Sequence, residues 1–158
     1  MRMKILNDIR AEDAILSGDG LCDTPGHTAK YLCYYLLDHV KNLVIDVEIV
    51  DKTQTQGKSS IMERFALDKS LVSLQDTINI VEVVTDASST IKKMIADIFN
   101  DIFHSLDISH KAKSIRKSIA KISKTKAMKK IHMWSNEIIN HFWHCCEITS
   151  QQSDLKCT

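Results

Sequence analysis

Backbone breakers are confined to one short stretch of this chain. Three of its four glycines and its only proline fall in Gly18-Asp19-Gly20-Leu21-Cys22-Asp23-Thr24-Pro25-Gly26. Such a stretch predicts a tight, irregular loop. Everything else must be built from regular elements joined by Asn, Asp and Ser turns. Before the loop, Ala14-Ile15-Leu16-Ser17 is short, apolar and strand-like. After it come Tyr31–Leu37, a turn over Asp38–Asn42, and the partly alternating, β-branched Leu43–Val50. These runs read as three strands in meander order.

The period then changes. Ser60-Ile61-Met62-Glu63 has capping-box spacing, with Ile61, Phe65 and Val72 near one helical face. Ile78–Val84 reads as a buried strand. Thr85–Ser89 supplies a turn and an N-cap, and Ile91, Met94, Ile95, Ile98 and Phe99 make an amphipathic helix. Ile102–Leu106 is a fifth short strand. A long helix follows from Lys111, striped by Ile115, Ile119 and Ile122, and a last one holds Trp134, Ile138, Ile139, Phe142 and Trp143. The order β-β-β-α-β-α-β-α-α predicts an α/β fold. Its mixed five-stranded sheet has an antiparallel three-strand meander followed by parallel strands, flanking helices and a C-terminal helical extension. The expected organisation is a lead-in over 1–13, a core over 14–110, a basic helix and the start of a helical insertion over 111–147, and a disordered tail over 148–158.

A parallel strand returning beside the first brings Asp19 and Asp86 to neighbouring strand ends. Two carboxylates placed so repel each other unless a cation lies between them. Oxygen ligands of this kind select Mg²⁺ or Mn²⁺, the ions used for in-line displacement at phosphate. Asp19 and Asp86 are therefore the candidate metal-binding and catalytic residues. Asp23, Asp107 and His110 are candidate accessories. The bland alternatives stay open: an Asx turn at Asp19, a helix-dipole acid at Asp86, an ordinary cap and packed histidine at Asp107 and His110.

The formal net charge of +1 hides a segregation. Residues 1–110 carry 11 Lys+Arg against 17 Asp+Glu, whereas residues 111–134 carry nine bases and no acid. An exposed helix normally gains from opposite-charge pairs, so this run points to a polyanion partner. Lys113, Arg116, Lys117, Lys121 and Lys124 are the candidate nucleic-acid contacts; a solvated face or a nuclear-import signal are the alternatives. The partner expected is DNA, with self-association and with neither a membrane nor a small-molecule substrate. No apolar run approaches 18 residues, and the charged start lacks an apolar h-region, so neither a membrane span nor secretion is expected. Five cysteines without CxxC spacing fit a reducing interior, nuclear or else cytoplasmic. His141 with His144 or Cys145 has a spacing zinc can use, though the set lacks a fourth ligand unless His132 or water supplies one; an aromatic helix end with incidental His and Cys is the other reading.

The pattern GDGLCDTPGHTAKY … VVTD … DISHKAKSIRK … INHFWHC resembles the DDE-type transposase domains of animal genomes, which have the ribonuclease H-like fold. The resemblance spans about residues 14–147. It implies a first acid on the first strand and a second closing the fourth, places that Asp19 and Asp86 match. Asp107-Ile108-Ser109-His110 matches the Asp-x-x-His of several lineages. Leu21, Ala87 and Ser109 depart from the residues more usual there, which are basic, glycine or polar, and aromatic. The third acid of such enzymes follows a helical insertion, and neither Glu137 nor Glu147 stands in that place. The resemblance thus implies a truncated or decayed copy of a metal-dependent transposase core, inactive alone. The alternative is a non-catalytic DNA-binding or protein-interaction domain using residues 111–130.

Overall fold

The computed structural model of the protein describes residues 13–25 and 28–154, with side chains through Thr149. Gly26 of the expected loop, His27 after it, and all but Asp13 of the lead-in lie outside the described residues. The chain divides between Leu106 and Asp107 into two compact units.

The first unit contains strands β1 (Asp13–Cys22), β2 (Tyr31–Asp38) and β3 (Leu43–Asp51), helix α1 (Met62–Leu74), strand β4 (Asn79–Thr85), helix α2 (Ser89–Ile98) and strand β5 (Phe103–Leu106). They form one five-stranded sheet in the order β3-β2-β1-β4-β5. The β1–β2 and β2–β3 pairs are antiparallel, and β1–β4 and β4–β5 are parallel. This is the mixed five-stranded sheet with flanking helices read from the sequence. The turn between β2 and β3 is held by Asp38, whose Oδ1 accepts the amides of Val40 (2.9 Å) and Lys41 (2.7 Å), while Asn42 takes the left-handed conformation that closes the hairpin (φ 54°).

One face of the sheet carries the core. Leu16, Leu32, Leu36 and Val83 are fully buried against Met62, Ala66, Leu67, Leu71 and Leu74 of α1 and Ile91, Met94 and Ile95 of α2. Each such aliphatic side chain contributes about 1.5–3 kcal/mol by leaving water. The buried face of α1 is not the expected one: Val72 is exposed, and the small residues Ala66 and Ser70 face inward instead. Small side chains let the helix sit close to the sheet, a reason invisible to a search for large apolar residues. On α2 the expected stripe holds except that Ile98 points outward.

The loop expectation at residues 18–26 needs correction. β1 runs through Cys22, so Gly18, Asp19 and Gly20 are strand residues paired with Leu36, Tyr35 and Tyr34. The glycines are accounted for by what crosses them. A Cβ on Gly18 would stand 2.3 Å from the Tyr34 hydroxyl, and one on Gly20 would stand 2.9 Å from Leu32 Cδ1. These are positions of close approach within a sheet rather than of a turn.

The second unit contains helix α3 (Ile108–Ile122), a 3₁₀ segment (Lys126–Trp134) and helix α4 (Ser135–Asp154). Ala112 and Ile119 are the buried positions of α3, and Ile122 is exposed. α4 continues past residue 148, where a disordered tail was expected, because Ile148-Thr149-Ser150-Gln151-Gln152 offers no breaker. Among the described residues no helix is long and apolar enough to cross a membrane.

Candidate metal centre

β1 and β4 run side by side, and their last registered pair is Ser17 with Val84. Asp19 and Asp86 each follow that pair by two residues, Asp19 still within β1 and Asp86 just past the end of β4. β4 stops at Thr85, while β1 continues to Cys22 bonded to β2 alone. The flank of β1 at Asp19 that faces away from β2 therefore has no strand paired to it among the described residues.

Asp19 is exposed and oriented. Its Oδ2 accepts the Tyr35 hydroxyl at 3.0 Å and its Oδ1 accepts the Gly20 amide at 2.8 Å. The Tyr35 pKa is raised, first by that hydrogen bond to Asp19 and then by burial. Asp86 leaves a strand end that is pinned from below. The buried Thr85 hydroxyl donates to the Asp86 carbonyl at 3.0 Å and lies 2.9 Å from His104 Nε2 on β5. With its single proton so directed, Thr85 accepts from His104, which fixes the Nε2–H tautomer. Burial, and then the nearby Lys92, lower the His104 pKa, so that ring is neutral at pH 7.

A third carboxylate approaches from the helix side. Glu63, in the first turn of α1, reaches over Gly20 so closely that a Cβ there would lie 3.2 Å from Glu63 Cγ. Its pKa is raised, first by burial and then by the negative charges of Asp86 and Asp19. Tyr34 adds to the same neighbourhood. Its hydroxyl is buried without a hydrogen-bond partner among the described residues, and its pKa is raised by burial and then by Glu63, Asp19 and Asp86. Asp19 extends from the opposite side of β1, by strand alternation, and shares its side with Tyr35.

Sequence reasoning missed Glu63 because a nearer explanation was at hand. Its spacing from Ser60 matches a capping box, yet the N-cap of α1 is Ile61 and no side chain caps it. The signal that existed was Gly20: a strand glycine beside a polar strand residue marks a place where something must come close.

Asp23 Oδ1 accepts the amides of Thr24 (2.9 Å), Lys30 (3.0 Å) and Tyr31 (3.3 Å), tying the two ends of the β1–β2 connection together. Desolvation acts to raise its pKa, but the bonds from Tyr31, Lys30 and Thr24 outweigh it and the net shift is downward. Asp107 is the N-cap of α3, where its Oδ1 accepts the Ser109 amide at 2.7 Å. His110 lies in the first turn of that helix. On the basic segment, Lys113, Arg116, Lys117, Lys121 and Lys124 are all exposed, and Arg116 Nη1 donates to Asn136 Oδ1 on α4 at 3.3 Å.

No family model matches the chain, and no curated protein matches it. Among solved structures it is similar to the catalytic core domain of HTLV-2 integrase in complex with magnesium. The trimeric form superposes with a TM-score of 0.41 at 17% identity, covering 78% of this chain and 84% of that one. The dimeric form gives 0.40 at 15%, covering 78% and 83%.

Proposed function

We propose that residues 13–106 carry a divalent-metal centre for phosphoryl transfer on DNA, of transposase-like origin, with Asp19 and Asp86 as its principal ligands. The observation that carries this reading is the placement of Asp19 and Asp86 two residues beyond the last registered pair of parallel neighbours, at the point where β4 stops.

The donor set fits Mg²⁺ or Mn²⁺. The carboxylates of Asp19 and Asp86 offer only hard oxygen atoms. A bound divalent ion supplies Lewis acidity at phosphate and lowers the pKa of a coordinated water or hydroxyl. The chain's part is positional. Tyr35 and the Gly20 amide hold Asp19 in one orientation, and Thr85 and His104 hold the strand end that presents Asp86.

The test measures Mg²⁺- or Mn²⁺-dependent nicking of duplex DNA, with divalent-ion binding followed by calorimetry. Wild type is expected to bind and nick. Asp19→Asn and Asp86→Asn are each expected to weaken binding and to lower nicking by at least about 100-fold, as loss of a positioned transition-state contact does. Equal binding by wild type and Asp19→Asn/Asp86→Asn would refute the centre.

A second reading, DNA binding without catalysis, is favoured by the charge segregation. Nine exposed bases over residues 111–130 suit a phosphate backbone and carry no base-specific geometry. Metal-dependent nicking separates the two readings, since only the first requires it.

A further inference from the structure

Helix α4 carries a pair of side chains that neither the acidic centre nor the basic segment uses. His141 and Cys145 stand one turn apart, both exposed, with Cys145 Sγ 3.5 Å from His141 Nε2. The distance is informative. A tetrahedral zinc ion, with a bond to sulfur of about 2.3 Å and one to nitrogen of about 2.05 Å, holds those two atoms about 3.5 Å apart. The pair is already at the separation such an ion requires. Among the described residues no third His, Cys, Asp or Glu joins it, so this chain alone offers two ligands of the four a closed site needs.

The rest of the helix face says where the other two come from. Ile138, His141, Cys145 and Ile148 recur at intervals of three, four and three, the spacing of a coiled-coil seam, and all four are exposed. The series is also symmetric about Trp143. Laid antiparallel against a second copy of itself across a two-fold axis at that level, Ile138 of one helix meets Ile148 of the other and His141 meets Cys145. Neither acid of this stretch, Glu137 or Glu147, is set opposite itself or the other. No lysine or arginine lies between Ser135 and Thr149 to oppose the approach.

We propose that α4 is a self-complementary docking face for a second copy of this chain, closed by one zinc-class ion held by His141 and Cys145 of each copy. Two nitrogen and two sulfur ligands complete the tetrahedron, and the isoleucines on either side seal it from water. Each thiol releases its proton as the metal–sulfur bond forms, so assembly weakens as pH falls. The inference is independent of the acidic centre, whose oxygen ligands produce no thiolate signal.

The experiment titrates the reduced full-length chain with Co²⁺, following thiolate-to-cobalt absorption together with mass by light scattering. The expected result is a charge-transfer band that saturates at one ion per two chains, tetrahedral ligand-field absorption, and a doubling of mass. Zn²⁺ should displace Co²⁺ and keep the dimer. Cys145→Ser and His141→Ala should each abolish the band and the dimer with far-ultraviolet circular dichroism unchanged, while Cys146→Ser retains both. A band that survives Cys145→Ser or His141→Ala, or a chain that binds cobalt and keeps its mass, overturns the proposal.

Discussion

Gly18 and Tyr34 form the most exacting contact in the core, and replacing them tests the account of β1 directly. An alanine at Gly18 would place its Cβ 2.3 Å from the Tyr34 hydroxyl, 3.0 Å from Cζ of the same ring and 3.1 Å from Leu36 Cδ2. Tyr34 and Leu36 are fully buried, so neither side chain can swing into solvent. Overpacking of this kind costs about 1–3 kcal/mol. The alanine also restricts the unfolded chain and suits a strand better than glycine, worth about 0.5–1 kcal/mol in the other direction. Gly18→Ala should therefore lose about 1–2 kcal/mol net. Tyr34→Phe removes a buried hydroxyl that has no partner and should be neutral or stabilising by about 1 kcal/mol. In that background the 2.3 Å clash is gone and only the ring carbon contact at 3.0 Å remains. The double mutant should then recover about 1 kcal/mol relative to additivity. Urea unfolding of wild type, the two single mutants and the double mutant measures all three quantities, with unchanged denaturant slope as the check on two-state behaviour. An identical loss for Gly18→Ala in the wild-type and Tyr34→Phe backgrounds would refute the contact, and with it the placement of Gly18 inside a strand.

Glu63 is disfavoured as an anion by its surroundings, since burial and then Asp86 and Asp19 raise its pKa. A carboxyl with a raised folded pKa favours the folded state at acid pH and loses that contribution as pH rises through the folded value. Glu63→Gln should accordingly raise the thermal midpoint at neutral pH; an unchanged midpoint counts against the burial and repulsion assigned to it. His104 has a lowered pKa from burial and then Lys92, so below its unfolded value of 6.5 the unfolded chain takes up the proton more readily and stability falls. His104→Gln should flatten the stability profile between about pH 6.5 and 5, by denaturation at fixed ionic strength. Asp23→Ala frees three amides at the β1–β2 connection and should destabilise the fold, with the largest gain in hydrogen exchange at Lys30 and Tyr31. Binding to random duplex should weaken steeply with salt, and replacing Lys113, Lys117 and Lys121 together by glutamine should reduce the slope by about three; a slope that does not change excludes those residues from the contact.

The order of elements was legible in the sequence, because periodicity is a local property. Leu43–Val50 alternates, Ile91–Phe99 repeats at helical spacing, and Asp38–Asn42 has turn chemistry, so each segment announces its own state. The placing of β4 parallel beside β1 followed from those segments with the topological rules for short connections. The errors lie where meaning depends on a distant partner. Gly18 and Gly20 read as loop residues because glycine is a breaker by local statistics; here they are small because Tyr34 and Leu32 cross them from the next strand. Ala66 and Ser70 were passed over on α1 for the same reason in reverse, since closeness to a sheet favours the small residue.

Glu63 shows the division most plainly. Local spacing already gives it a sufficient role at a helix start, and nothing within a turn of it suggests another. Its neighbours in space, Gly20, Asp19 and Asp86, lie between 23 and 44 residues away along the chain. A one-dimensional pattern determines which segments are helix, strand and turn, because backbone dihedrals and side-chain periodicity act within a few residues. Which carboxylates share one field is decided only when the sheet closes, because charge acts through space and the distances that govern it do not exist until the strands have paired.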